Sequence, residues 1–158
     1  MRTTLPAQPE CVDGDHSPER LLPSTRYVGS KRKLVGWIWS HIGHLPFQTC
    51  LDAFGGTGSI SYYAKRRMKE VTYNDLLKFN YYSGLALIEN SRELLTVHEI
   101  DSIVKPHAGV SYRDFIERNF EGMYFTRAEN RWLDMAVTNT GFLRNQYKRA
   151  LAMHALFQ

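Results

Sequence analysis

The sequence predicts an α/β fold in which short parallel strands alternate with helices. The segment Thr49–Phe54 is a short apolar run that ends in glycines, as a buried parallel strand does. The segment Glu70–Asn74 is rich in β-branched and aromatic residues, which is typical of a strand. A helical pattern follows each of the two segments, so this part of the chain is a βαβα unit. The predicted class is therefore α/β.

The helices follow from the spacing of apolar residues and from the turns between them. A first helix is predicted from Lys33 to Ile42, and a second from Ile60 to about Met68, directly after the glycine-rich turn. A third helix follows Asp75. Beyond Asn90 the chain has only helical or loop patterns. The helices predicted there are Val97–Val104, Tyr112–Phe120, Ala128–Val137 and Leu143–Phe157.

Length and composition agree with one globular domain. The chain has 158 residues, of which 43% are apolar and 23% are charged, and this excludes fibrous and disordered classes. Two cysteines cannot form a disulfide framework or a four-ligand zinc site. The apolar runs are far shorter than the ~20 residues that span a bilayer, and the N-terminus has no apolar signal-peptide core. We expect a soluble, cytoplasmic protein without a membrane partner.

The distribution of charge is more informative than the net charge of +4. Residues 1–24 hold four of the six prolines and four acids against two arginines, which predicts a flexible leader. Three basic clusters follow, near Lys31, between Lys65 and Lys69, and between Arg144 and Arg149. Each cluster alone fits a solvated helix face equally well, but three together favour a polyanionic partner.

The turn Gly55–Ser59 lies where a strand leads into a helix, which is the context of a cofactor-binding loop. Ser61 stands where a dinucleotide fingerprint has its third glycine, and this counts against NAD. The lysine of a phosphate-binding loop is also missing. A purely structural glycine turn is an equally good interpretation of this segment alone.

Two carboxylates add to the evidence for a ligand. Asp75 ends the second strand 17 residues after Gly58, where α/β cofactor folds bind ribose hydroxyls. An aspartate at this point also fits the N-cap of the next helix. Asp52 ends the first strand, where it would attract a cationic group or serve as an ordinary turn aspartate.

Three motifs in this order resemble the adenine-specific DNA methyltransferases of the Dam-like (alpha) group. They are Arg26–Leu34, Asp52–Ser59 and Tyr73–Asp75, and the resemblance covers roughly Thr25 to Glu89. It implies the N-terminal part of a Rossmann-like methyltransferase fold that uses S-adenosyl-L-methionine, followed by a mainly helical DNA-recognition segment. The cofactor-binding residues that it implies are Tyr27, Lys31, Asp52, Phe54, Gly56, Gly58 and Asp75. For Lys31, contact with a DNA phosphate is an alternative to contact with the cofactor's carboxylate.

The resemblance divides the chain into a leader (1–24), a cofactor-binding part (25–90) and a DNA-recognition segment (91–158). The catalytic Asp-Pro-Pro-Tyr motif of the group is absent from the printed sequence, and the last helical pattern lacks a capping residue. We therefore expect an N-terminal fragment that is inactive alone, the alternative being a natural, frayed C-terminus. The recognition segment contains residues whose side chains can read base edges or bind phosphate, although any one of them alone fits an ordinary surface residue better: Arg127, Arg131, Trp132, Asn139, Arg144, Asn145, Gln146 and Lys148.

The expected activity is transfer of a methyl group from S-adenosylmethionine to the N6 atom of adenine in double-stranded DNA. The expected partners are duplex DNA and a cognate restriction endonuclease, and the chain is expected to be a monomer. Two alternatives remain open at this stage. One is a non-catalytic nucleic-acid-binding module, and the other is a different nucleotide-cofactor enzyme such as a dehydrogenase.

Overall fold

The computed structural model describes residues 30–158, which form a two-stranded parallel sheet and seven α-helices. Strand β1 spans Thr49–Asp52 and strand β2 spans Glu70–Tyr73. They pair in parallel from their first residues to their last. The predicted α/β class and both predicted strands are therefore confirmed, and the leader and Tyr27 lie outside the described residues.

The helices lie close to their predicted positions. A short 3₁₀ turn, Arg32–Leu34, leads directly into α1, and α3 continues without a break into a π-helical turn, Gly84–Glu89. The seven α-helices are α1 Val35–Ile42, α2 Ser59–Arg66, α3 Lys78–Ser83, α4 Val97–Val104, α5 Phe115–Phe120, α6 Arg127–Thr140 and α7 Gln146–Leu156.

The sheet is covered on one face by the described residues. Side chains alternate along a strand, so Cys50 and Val71 lie half-buried on the face against which α2 and the π-helical turn pack. Leu51 points to the opposite face and is 67% exposed. The expectation of a fully buried first strand is therefore wrong for this part of the chain, because no described element packs on that second face.

The apolar core lies between helices rather than on the sheet. One cluster joins Leu85 and Ala86 of the π-helical turn to Ala150 of α7. A second cluster joins α4, α6 and α7 through Ile103, Ala136 and Ala152. The small alanine side chains let the helix backbones approach closely, so α7 ties the helical segment to the helix that follows β2.

Capping side chains set two helix starts that the apolar pattern misplaced. The carboxylate of Asp134 in α6 accepts the backbone N–H groups of Ile116 and Glu117, so α5 begins at Phe115 and not at Tyr112. The side chain of Asn145 caps α7, which therefore begins one residue after it rather than at Leu143. Within the described part of the chain, no helix is both long and apolar enough to cross a bilayer.

Candidate functional site

The glycine-rich turn connects β1 to α2 at the carboxyl end of the sheet. Gly56 and Gly58 have φ angles of 54° and 72°, in the left-handed region that glycine adopts without strain. Gly58 directly precedes α2, and no side chain of the described residues caps that helix. The first N–H groups of α2 therefore remain available to an acceptor beside the turn.

The carboxylate of Asp75 holds this turn from the end of β2. Its Oδ2 atom accepts the N–H of Gly56 at 2.8 Å, and its Oδ1 atom accepts the N–H of Leu77 and the amide of Asn80, both at 2.9 Å. Burial alone would raise the pKa of Asp75, but these hydrogen bonds hold the pKa below its usual value. Asp75 is therefore an anion that bridges the glycine turn and the segment leading into α3.

Tyr73 holds the same turn from its other side, and the sequence analysis did not single out this side chain. Its hydroxyl donates to the carbonyl oxygen of Gly56 at 2.6 Å. Its ring lies in a slot between Gly55 and Gly84, and a Cβ atom at either glycine would overlap the ring. The absence of a side chain at both positions is the feature of the sequence that permits this slot. It could not be recognised from the sequence, because the two glycines are 29 positions apart and only the fold brings them together.

Asp52 lies at the end of β1 and accepts the hydroxyl of Ser61 at 2.6 Å. Ser61 is almost completely buried on α2, at the position where a dinucleotide fingerprint would have its third glycine. In place of a glycine, this position carries a hydroxyl that fixes the carboxylate of the strand end.

An open cleft lies beside the turn, and the space within it and at its solvent-filled mouth together amounts to about 250 Å³. Lys31, Asp52 and Gly56 line it, so the structure brings these three predicted residues together. Three hydroxyl side chains that sequence reasoning missed also line the cleft: Ser30, Thr57 and Ser59. Oxygen–oxygen distances of 3.3 Å (Ser30 to Thr57) and 3.0 Å (Thr57 to Ser59) link them into one chain.

The remaining predicted residues lie around the cleft rather than in its lining. Phe54 is 84% exposed on the turn. Gly58 lies deeper in the protein. A Cβ atom added to it would be 3.7 Å from Ile88 and from Tyr73, which is ordinary van der Waals contact. Asp75 does not line the cleft, but its carboxylate accepts the N–H of Gly56, which does.

The basic cluster between Lys65 and Lys69 is used mainly inside the fold. Lys65 donates to two backbone carbonyls, and its burial lowers its pKa. Arg67 lies over the rings of Trp39 and Tyr63, and Lys69 donates to the carbonyl of Phe47. Phe47, with Trp39 packed against it, lies just before the start of β1, whereas the glycine turn follows the end of β1. Lys65, Arg67 and Lys69 do not line the cleft.

In the helical segment, Glu117 holds two exposed arginines. Its largely buried carboxylate accepts the Nε–H groups of Arg127 at 2.5 Å and Arg131 at 2.8 Å. These hydrogen bonds, the one from Arg127 first, lower the pKa of Glu117. The arginine side chains are 64% and 65% exposed, so their outer nitrogens face solvent. Among the other predicted DNA-facing residues, Lys148 is paired with Glu99 inside the fold.

A model of the D12 class of N6 adenine-specific DNA methyltransferases matches residues 27–149, which is most of the chain. The chain belongs to this family. The resemblance drawn from the three motifs is therefore confirmed at the level of the family.

Two curated relatives are Type II methyltransferases. M2.HphI of Haemophilus parahaemolyticus is 37% identical over 132 residues, which is 82% of this chain and 38% of that protein. M.NlaIII of Neisseria lactamica is 28% identical over 117 residues, which is 68% of this chain and 35% of that protein. The chain thus spans somewhat more than a third of the length of these relatives. No solved structure matches it significantly.

Proposed function

We propose that the cleft beside the glycine turn binds S-adenosylmethionine, and that the chain is the cofactor-binding and DNA-contacting part of an N6-adenine DNA methyltransferase. The observation that carries this proposal is the hydrogen bond from the N–H of Gly56 to the carboxylate of Asp75 at the carboxyl end of a parallel sheet, in a member of the D12 family. Ligands of open α/β sheets bind at this edge. In this proposal residues 25–90 begin a Rossmann-like domain and residues 91–158 contact DNA.

The groups around the cleft suit the two charged ends of this cofactor. Bound there, S-adenosylmethionine would supply an electrophilic methyl group on a sulfonium cation. Asp52 would face positive charge, while Lys31 and the uncapped N-terminus of α2 would receive a carboxylate. The exposed ring of Phe54 and the ring of Tyr27 would offer aromatic faces to the cation.

Asp75 retains the capacity to bind a ribose hydroxyl. A carboxylate has roughly four acceptor positions, two on each oxygen. Oδ1 accepts two hydrogen bonds and Oδ2 accepts one, from Gly56. The backbone N–H of Leu76 also contributes to the low pKa of this carboxylate. In this proposal a ribose hydroxyl would therefore join or replace these local donors at Oδ2, the oxygen that faces the turn. Because Gly56 and Gly58 have no side chains, a nucleoside could approach that oxygen closely.

For DNA contact, the pair formed by Arg127 and Arg131 carries the proposal. Because Glu117 binds both Nε–H groups, the side chains are held in place while the outer nitrogens stay exposed for phosphate oxygens or base edges. Duplex DNA is accordingly the proposed partner, and the proposed assembly state is a monomer. A cognate restriction endonuclease is the further proposed partner, consistent with the Type II names of the relatives.

The printed sequence lacks an Asp-Pro-Pro-Tyr motif, whose polar groups and ring would hold a flipped adenine. We therefore propose that these 158 residues bind the cofactor and do not complete methyl transfer. Incubation of the chain with labelled S-adenosylmethionine and duplex DNA should leave the DNA unlabelled above background. Labelled N6-methyladenine would contradict this part of the proposal.

Calorimetric titration with S-adenosylmethionine tests the cofactor site. The 158-residue chain should bind one equivalent, and Asp75→Ala should weaken binding at least about tenfold, because a charge-assisted hydrogen bond is lost. Asp101→Ala is the matched control, since it removes the same charge from an exposed pair with Lys105. Salt-dependent DNA binding without any cofactor affinity, unaffected by Asp75→Ala, would instead favour a non-catalytic nucleic-acid-binding module.

A further inference from the structure

The backbone of Gly56 is held at its N–H and at its carbonyl oxygen, on the two sides of its Cα, by side chains that lie two positions apart at the end of β2. Its N–H goes to Asp75 at 2.8 Å and its carbonyl oxygen receives the Tyr73 hydroxyl at 2.6 Å. Gly56 lines the cleft, with a φ of 54°. A left-handed glycine has a wide choice of alternative conformations, so two opposed hydrogen bonds select one of them.

Asn80, a residue of α3, supports both side chains that hold Gly56. Asn80 is completely buried, and its amide donates to Asp75 at 2.9 Å. The backbone carbonyl oxygen of Asn80 lies 3.2 Å from the Tyr73 hydroxyl. A phenol has a single proton, and the shorter contact to Gly56 takes it. Tyr73, Asp75 and Asn80 thus form one connected group around Gly56.

The ring of Tyr73 has little freedom to move. It is enclosed between Gly55 of the turn and Gly84, the first residue of the π-helical turn. Because neither glycine has a side chain, the ring fills the space that two Cβ atoms would occupy. The hydroxyl that donates to Gly56 therefore belongs to a ring that is confined along both of its edges.

We propose that Tyr73, supported by Asn80, is a positioning residue that sets the Gly56 peptide for cofactor binding; this rests on the proposed S-adenosylmethionine site. Tyr73 itself touches no part of the ligand in this proposal. By holding the carbonyl oxygen, its hydroxyl fixes the backbone conformation of Gly56, and hence the direction of the N–H group that Oδ2 of Asp75 accepts. The cost of ordering the turn is then met during folding and not during binding.

The test is Tyr73→Phe, which keeps the ring and removes the hydroxyl. Tyr81→Phe is the matched control, since Tyr81 lies on the neighbouring helix α3, is 54% exposed, and its hydroxyl makes no hydrogen bond among residues 30–158. In calorimetric titration, Tyr73→Phe should weaken S-adenosylmethionine binding about five- to tenfold, as expected for one lost hydrogen bond. Tyr81→Phe should bind within about twofold of the parent chain.

A second measurement does not depend on the cofactor. Hydrogen exchange of the Gly56 amide, followed by NMR without ligand, should be at least about fivefold faster in Tyr73→Phe than in Tyr81→Phe, because the opposing anchor is gone. Thermal unfolding of each variant shows whether the fold is intact. If both variants bind the cofactor equally well, the positioning role is refuted.

Failure of the proposed function is distinguishable from failure of this inference. If the parent chain binds no S-adenosylmethionine, the cofactor site is wrong, and the exchange of the Gly56 amide alone decides whether Tyr73 positions the peptide. Equal exchange in Tyr73→Phe and Tyr81→Phe would then overturn the inference. Faster exchange in Tyr73→Phe alone would support it.

Discussion

Gly84→Ala should destabilise the protein although it replaces a glycine within a helical segment. Gly84 has a right-handed φ of −60°, so by backbone preference alone an alanine should stabilise this position by about 1 kcal/mol. A Cβ atom at Gly84, however, would lie 2.6 Å from Cδ1 and 2.7 Å from Cε1 of Tyr73. Helix propensity therefore predicts that Gly84→Ala raises the free energy of unfolding, whereas tertiary packing predicts that it lowers it.

The overlap is costly because the ring cannot move aside. Gly55 lies against its opposite edge, and the hydroxyl is bound to Gly56. Overpacking costs about 1–3 kcal/mol, and an overlap of 2.6 Å with a confined ring belongs in the upper half of that range, at about 2–3 kcal/mol. Subtracting the helical gain of about 1 kcal/mol leaves a net loss of about 1–2 kcal/mol. For a domain of this size the midpoint of thermal unfolding should fall by about 3–6 °C.

Urea denaturation followed by circular dichroism measures this loss. Gly36→Ala is the control, because Gly36 lies exposed within α1 and should show only the helical gain. If Gly84→Ala is as stable as the parent chain, or gains stability as Gly36→Ala does, the close packing of Tyr73 against Gly84 is refuted.

The other predictions concern α7 and the end of α2. Burial lowers the pKa of His154, which lies beside Ser83, below its ordinary value of 6.5. As the pH falls, His154 is therefore protonated in the unfolded chain at a higher pH than in the folded protein. The free energy of unfolding keeps its full value above about pH 6.5 and decreases as the pH falls below 6.5. Thermal unfolding between pH 7.5 and 5 should show a smaller decrease for His154→Gln than for the exposed control His98→Gln, and equal slopes would contradict this. Met68 is exposed and has a φ of 59°, so Met68→Gly should stabilise the protein by about 0.5–1 kcal/mol in urea denaturation, whereas Met68→Ala, which keeps the strain, should not.

Most of the secondary structure was predictable because it depends on local patterns. The helix Val97–Val104 was predicted at its observed bounds, since its apolar spacing is bracketed by a threonine cap and a loop. The starts of α5 and α7 were predicted three residues too early. For α5 the deciding acceptor is Asp134, which lies 18 positions beyond the first N–H that it caps.

The candidate site was predictable in its residue types but not in its connections. Lys31, Asp52 and Gly56 were predicted and line one cleft, because strand ends and the turns that follow them meet at one edge of a parallel sheet. The ligand roles of these residues and of Asp75 remain predictions. That Asp75 already holds Gly56 was not predictable, because a strand-end aspartate and a glycine turn do not specify which hydrogen bonds they make.

The sequence by itself determined the order of the strands and helices, the glycine turn and the family, because periodicity and short motifs act over a few residues. The tertiary structure decided which charges are used internally, such as Lys148 with Glu99, and which remain exposed, such as Arg127 and Arg131. It also decided the role of Tyr73, whose ring lies between two glycines that are 29 positions apart. Such contacts depend on how helices pack, and packing joins residues whose separation along the chain no local pattern records.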